Sequence, residues 1–412
     1  MISFTAAKTL KHHTKSINAL AVSPDGAVLL SGADDAVVVV WNLRTGEKLQ
    51  EIHCTFNGPI SAIAWLGTSV TNNTFIFGCA DGSLHLYQRS DCAAAFVFKS
   101  SSTAHEGIVE DIVYDPHHNR IASVGGGASA VWKVTGTGSL TDLVKSDPRG
   151  VYIAKSVRFC DKGASIVVFY LESHEVVCHS IEPWALKWSK EVPTRIGHAT
   201  LSPDETSLII SNLYDGLDIY CFPSLERVRS LPHPILQNYP MQVATTGPGD
   251  RWVLCGGDDG FARLYDAQGG HLLATLIHGD PGLLVQAVTG FTDEKCCLIV
   301  TGGSSMSSIC AKGMKVSPPN DIKVWEHKPS SISSRRSIPE KPDSNLHLWQ
   351  ILLAVILTAF VVTAMNALIL SDTAVPRIER LLNWSSPSPQ EQALVELMRR
   401  LEEERSQDLY DF

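Results

Sequence analysis

The chain has 412 residues, of which 44% are hydrophobic and 19% are charged. That composition allows a large buried core and excludes global disorder. The net charge is −9, and no stretch gathers Lys and Arg into a stripe, so nucleic acid is not an expected partner.

The N-terminal segment MISFTAAKTLKHHTK has no apolar run of signal-peptide length, so nothing there is expected to carry the chain across a membrane. All ten cysteines lie before residue 311, scattered and without a CxxC pair. Zinc and redox spacings are therefore missing, and free thiols in strand cores, in a reducing compartment, are expected.

A repeat governs residues 1–328. An alternating β segment ends in an aromatic and follows a turn with Asp or Gly. It occurs as DDAVVVVWN at Trp41, DGSLHLYQ at Tyr87, GGASAVWKV at Trp132, DGLDIYCF at Tyr220, DGFARLYDA at Tyr265 and NDIKVWEH at Trp325. A degenerate copy, SHEVVCHSI, surrounds His179, which gives seven units at intervals of 46, 45, 47, 41, 45 and 60 residues. Upstream of each, period-2 alternation is broken by Pro-Asp or Asp-Gly turns, as in SINALAVSPDGAVLLSGADD. That pattern predicts short antiparallel strands joined by tight hairpins, four per unit.

These units resemble WD40 (WD-repeat) blades, four strands in about 40–45 residues with Gly-His and Trp-Asp marks. The resemblance implies an all-β, seven-bladed β-propeller over 1–328. It also implies that a His before each blade, a Ser or Thr on the second strand, the turn Asp and the Trp form a buried hydrogen-bonded set. His13, Ser31, Asp35 and Trp41 match in the first unit. His105, Ser123 and Trp132 match in the third, with Gly126 where the Asp should be. His278, Thr301, Asp321 and Trp325 match in the seventh, with an insertion between strands two and three. SFTAAKTLKHH resembles GEKLQEIHC, the outer strand after Trp41, so the N-terminal strand is expected to complete the last blade.

Composition changes at 329–345, a Ser/Pro-rich linker. Within 346–371 the stretch 348–370 has 23 residues without charge, 13 of them Leu, Ile, Val or Phe. As a helix it extends ~34 Å, enough to cross a ~30 Å hydrocarbon layer, so the lipid bilayer is an expected partner. No signal precedes the propeller, and Arg335, Arg336 and Lys341 before the span outnumber Arg377 and Arg380 after it. Both place the propeller in the cytosol and the tail in a lumen or outside the cell. The tail, 372–412, carries a glycosylation sequon at Asn383. An amphipathic helix is expected at about 389–406, with Ser388 as cap and Leu394, Leu397, Met398 and Leu401 on one face.

No catalytic set, cofactor motif, metal-ligand set or small-molecule site stands out. The glycine runs at 125–128, 256–260 and 302–305 lack the Lys-Ser/Thr end of a phosphate loop and sit at expected hairpin turns. What remains is a rigid scaffold with loops. The longest, 302–320, offers Lys312, Met314 and Lys315 as a candidate interaction surface. The leading expectation is a non-enzymatic, membrane-anchored scaffold that binds proteins through the top face of the propeller and this loop. The alternative is an exchange factor for Sar-type small GTPases of the endoplasmic reticulum, whose order of propeller, helix and lumenal tail is similar.

Overall fold

The computed structural model describes residues 2–67, 73–89, 95–304 and 320–327. They belong to the first of two compact units, Met1–Ser330. The expectations for the linker, the membrane span, Asn383 and the tail helix lie outside the described residues, as do Lys312, Met314 and Lys315. Among the described residues no helix is long and apolar enough to cross a membrane.

The described residues form seven four-stranded sheets, each with its strands antiparallel. Each sheet is one blade, with strands named a to d from the axis outward. In blade 1 these are Ile17–Val22, Val28–Ala33, Val37–Asn42 and Lys48–His53. The a strands of successive blades, from Ile17–Val22 to Leu284–Thr292, contact one another around the axis, and the last contacts the first. Blade 7 takes its d strand, Thr5–Lys11, from the N-terminus, paired antiparallel with strand c, Asp321–His327. The ring thus closes with a strand from each end of the propeller, which leaves only short edges.

Burial explains the sequence pattern. Strands b and c of blade 1 are buried along nearly their whole length, because each face meets a neighbouring blade. They read as an unbroken apolar run, VVVV, rather than as alternation. The d strands form the rim and are mostly exposed, as in Arg227–Pro232. The core therefore lies between blades: Leu10, Val300 and Ile322 of blade 7 pack with Ile17, Leu29 and Trp41 of blade 1.

The c–d register shifts just before the repeat aromatic in six blades: Val40/Trp41, Leu86/Tyr87, Val131/Trp132, Cys178/His179, Ile219/Tyr220 and Leu264/Tyr265. In blade 7 the shift falls between Trp325 and Val324. Such a bulge re-aims one side chain, which is why that position tolerates Trp, Tyr or His but stays recognisable. His179 holds it in blade 4, stacked on Trp184 at 4.5 Å.

Adjacent blades approach closely where strand b has glycine. A Cβ at Gly78 would lie 2.5 Å from the Val109 side chain of blade 3, and one at Gly302 2.7 Å from Ile17 of blade 1. Gly32 meets Ile60 of blade 2 in the same way. Gly78→Ala should therefore cost about 1–3 kcal/mol of stability by overpacking, read in denaturant melts. An unchanged midpoint would show that the blades separate more easily than this packing implies.

Candidate functional site

The sequence-matched residues come together inside the blades. In blade 1 the Trp41 indole N–H donates to Ser31 Oγ at 2.9 Å, and Ser31 Oγ lies 2.7 Å from His13 Nε2. His13 Nδ1 is 3.2 Å from both oxygens of Asp35. Carboxylate can only accept, so the protons run in one direction: indole to hydroxyl, hydroxyl to Nε2, and Nδ1–H to Asp35. Asp35 also accepts from the Thr14 and Val37 amides. Burial alone would raise its pKa, but the bonds from His13 and Thr14 outweigh that and hold it below the usual value.

Blade 7 repeats the set with the ring turned over. Trp325 Nε1 donates to Thr301 Oγ1 at 2.9 Å, His278 Nδ1 is 2.6 Å from that oxygen, and Nε2 is 3.2 Å from Asp321. The b–c connection runs from Ser304 to Asp321, so the expected insertion separates these two strands. In blade 3 His105 Nε2 lies 2.8 Å from Ser123 Oγ, which accepts from Trp132 Nε1 at 3.1 Å.

The expectation for Gly126 needs correction. Strand b of blade 3 ends at Gly125 and strand c begins at Ala128. The turn is the two residues Gly126 and Gly127, with φ of 57° and 77°. Blade 1 uses three residues there, so the Asp is deleted rather than replaced. A Cβ on Gly126 would lie 2.7 Å from the Glu106 carbonyl oxygen, which leaves no room for a substitute side chain. His105 accordingly has no carboxylate partner, and the backbone of Gly125 is what stands beside its ring.

The expectation of thiols in strand cores also needs a limit. Cys54, Cys79, Cys160, Cys178, Cys255 and Cys297 are buried, but Cys221 is exposed and Cys296 is half-buried.

All of these sets are interior. The surface that can engage a partner is the end of the propeller carrying the b–c turns and the d–a connections, which antiparallel alternation puts on one face. The axis opens there into a cavity of about 310 Å³ lined by Asn18, Asp34, Glu110, Lys155, His198 and Gln242 among others. Its polar groups are mutually satisfied. Asn18 Nδ2 donates to Asp34 at 2.7 Å and Lys155 pairs with Glu110 at 2.5 Å, while Arg158 pairs with Asp111 in the adjoining cavity. His198 Nδ1 accepts from the Val243 amide at 3.3 Å. Burial, with Arg158 nearby, pushes its pKa down to about 3, so the ring is neutral.

Around this mouth the d–a connections expose large apolar side chains. Val151 is 95% exposed, with Tyr152, Ile153 and Ile108 beside it along a second groove that also takes in Gly126 and Gly127. Phe56, Leu236 and Tyr239 belong to other d–a connections and Tyr214 to a b–c turn, all exposed. The 233–242 connection is pinned by Asp258, which accepts from the Leu236 and Gln237 amides at 2.7 and 2.6 Å. The exposed charges are mostly acidic: Asp81, Glu106, Asp147, Glu172, Asp215 and Asp280 against Lys15 and Arg195, among the described residues. Arg149 is half-buried and tied to Glu175. Sequence reasoning missed these apolar residues, although PRGVYI at 148–153 shows three apolar residues after a glycine within a connection.

A ring of seven four-stranded blades, three with the His, Ser/Thr and Trp set, defines a β-propeller of WD-repeat type. Residues 4–42 match the WD domain, G-beta repeat family, a stretch that joins strand d of blade 7 to strands a–c of blade 1. Over 83 residues the chain is 31% identical to the ribosome biogenesis protein ERB1 of Ajellomyces capsulatus, covering 20% of this chain and 10% of that one. It is 40% identical over 57 residues to the small ribosomal subunit protein RACK1z of Arabidopsis thaliana, 14% of this chain and 17% of the relative. It is 44% identical over 43 residues to a subunit of chromatin assembly factor 1 from Gallus gallus, 10% of this chain and 8% of the relative. The chain thus spans only 8–17% of the length of these relatives, and the likeness is confined to one or two repeats.

Proposed function

We propose that this chain is a membrane-anchored scaffold whose propeller holds a partner protein on the loop face. The observation that carries the reading is the exposed apolar rim of Val151, Tyr152, Ile153 and Ile108, on a face where exposed carboxylates outnumber exposed cations among the described residues. A rigid scaffold that presents exposed apolar side chains on loops is the ordinary form of a protein-binding surface. The acidic surround favours a partner segment with basic residues flanking an apolar anchor. Two of the relatives are named as a ribosomal subunit protein and an assembly-factor subunit, which supports a part in an assembly.

The anchor rests on the uncharged stretch 348–370. In this reading the propeller faces the cytosol and the tail a lumen or the exterior, and the connection between Ser304 and Asp321, shorter than the expected 302–320 because Gly302–Ser304 belong to strand b, adds Lys312, Met314 and Lys315 to the contact. The test is proximity labelling from the N-terminus of the full chain in cells, comparing wild type with Val151→Ser/Tyr152→Ala. Both residues are exposed, so the fold should survive, and a defined subset of labelled proteins should disappear. An unchanged labelling profile would remove the loop face from consideration. Loss of a glycosidase-sensitive mass shift in Asn383→Gln would support the orientation, and absence of any shift in wild type would count against it.

A further inference from the structure

Blade 4 brings together three groups that sequence spacing hides. Cys160 ends strand a (Ala154–Cys160) and Cys178 lies within strand c (Glu175–Ser180). Both are 1% exposed, and their sulfurs are 4.0 Å apart. A carboxylate oxygen of Asp161, on the a–b turn, completes a cluster whose ligand atoms all lie within 4.8 Å of one another.

These sulfurs cannot join as a disulfide. Cys160 pairs with Ser165 and Cys178 with Val167 on opposite edges of strand b (Ser165–Tyr170), so a whole strand separates their backbones. Two inter-strand spacings amount to ~9.5 Å, whereas a disulfide tolerates a Cα separation of no more than ~7 Å. Both side chains nevertheless lean over the intervening strand toward each other. Tetrahedral bonds of ~2.3 Å to a zinc ion put two thiolate sulfurs ~3.8 Å apart, close to the separation found here.

We propose that Cys160, Cys178 and Asp161 form a binding site for a thiophilic divalent cation, zinc being the ion that the spacing fits. Two thiol protons leave to solvent as two sulfur–metal bonds form, and Asp161 supplies an oxygen. The fourth position lies on the solvent side and is open to water, since Asp161 is at the surface while both sulfurs are in the core. The turn is already shaped for this. Glu205 of blade 5 accepts from the Asp161 and Lys162 amides at 2.8 and 3.1 Å and fixes their backbone. Lys187 is the competitor: its Nζ holds Asp161 at 2.5 Å and contacts Ser165 Oγ at 3.3 Å. Binding requires Asp161 to exchange this ammonium for the metal.

The test uses the full chain in detergent, stripped with a chelator and kept reduced. Cd2+ is the spectroscopic probe and Zn2+ competition against a chromophoric chelator gives affinity. The expected result is one equivalent of Cd2+ with a thiolate-to-metal charge-transfer band that disappears in Cys178→Ser. Asp161→Asn should weaken zinc by at least the ~10-fold that loss of an outer-shell partner costs. Lys187→Met should tighten it, by about 10-fold, because it frees the carboxylate. Both of these residues are on the surface, so they keep the test decisive if the serine variant fails to fold. No charge-transfer band in the folded wild type, binding that survives Cys178→Ser, or an affinity indifferent to both surface substitutions would each overturn the site.

Discussion

Ser31→Ala should lower the unfolding free energy by about 3 kcal/mol, although it removes a single oxygen atom. Ser31 Oγ is the junction of the blade 1 set, accepting from Trp41 and meeting His13 Nε2, and the residue is fully buried. Without it the indole N–H and the imidazole nitrogen both lose their partners where water cannot replace them. Each orphaned group costs ~1–3 kcal/mol. Thr301→Val tests the same point in blade 7 with almost no change of volume, and Thr301→Ser keeps the oxygen and should cost much less. Trp41→Phe removes one of the orphans created by Ser31→Ala, so the double variant should be less destabilised than the sum of the singles. Denaturant melts of the four variants and the double decide it. A Ser31→Ala loss within about 0.5 kcal/mol of zero would mean that the set is ornamental to stability.

How much of this was legible before the structure depends on whether the signal is local. The repeat aromatics could be read because a bulge at the same register fixes one residue per blade, even at His179, where the chemistry has drifted. Closure could be read because SFTAAKTLKHH resembles GEKLQEIHC, the rim strand of blade 1, and Thr5–Lys11 does take the rim position of blade 7. The deletion at Gly126 could not: a glycine at the right distance looks like a substitution until the register of Gly125 with Ala128 shows a turn one residue short. The loop-face residues were hidden for a related reason, since VYIAK runs from an exposed connection straight into a buried strand. Cys160 and Cys178 meet across an intervening strand, a contact set by sheet geometry and not by any ligand spacing. The span proposed at 348–370 rests on composition alone and lies outside the described residues.

Acid should weaken this propeller well above the range in which its carboxylates titrate. His105 and His233 are 2% and 4% exposed. Burial is the main cause that pushes each pKa down to about 4, with the charge of Lys145 or Arg263 adding to it. In the unfolded chain both return to ~6.5. The folded pKa is the lower one, so between about pH 4 and pH 6.5 the unfolded chain binds more protons. The contribution is therefore whole above ~6.5 and is lost as pH falls toward 4. At about pH 5 each ring should have given up about 2 kcal/mol, about 4 kcal/mol for the pair. His198 acts in the same direction. Asp35 and Asp321 have the opposite history: their pKa values are held below 3.8, so what they contribute is lost only at lower pH. Melts at about pH 7.5 and about pH 5 should differ by several kcal/mol, and His105→Asn should shrink that difference by about 2 kcal/mol. His105 is the sharper choice because its Nδ1 has no carboxylate to receive a proton, unlike His13 Nδ1 beside Asp35. If His105→Asn leaves the acid loss intact, the protons enter elsewhere, and the blade that lacks the turn Asp is not the weak point.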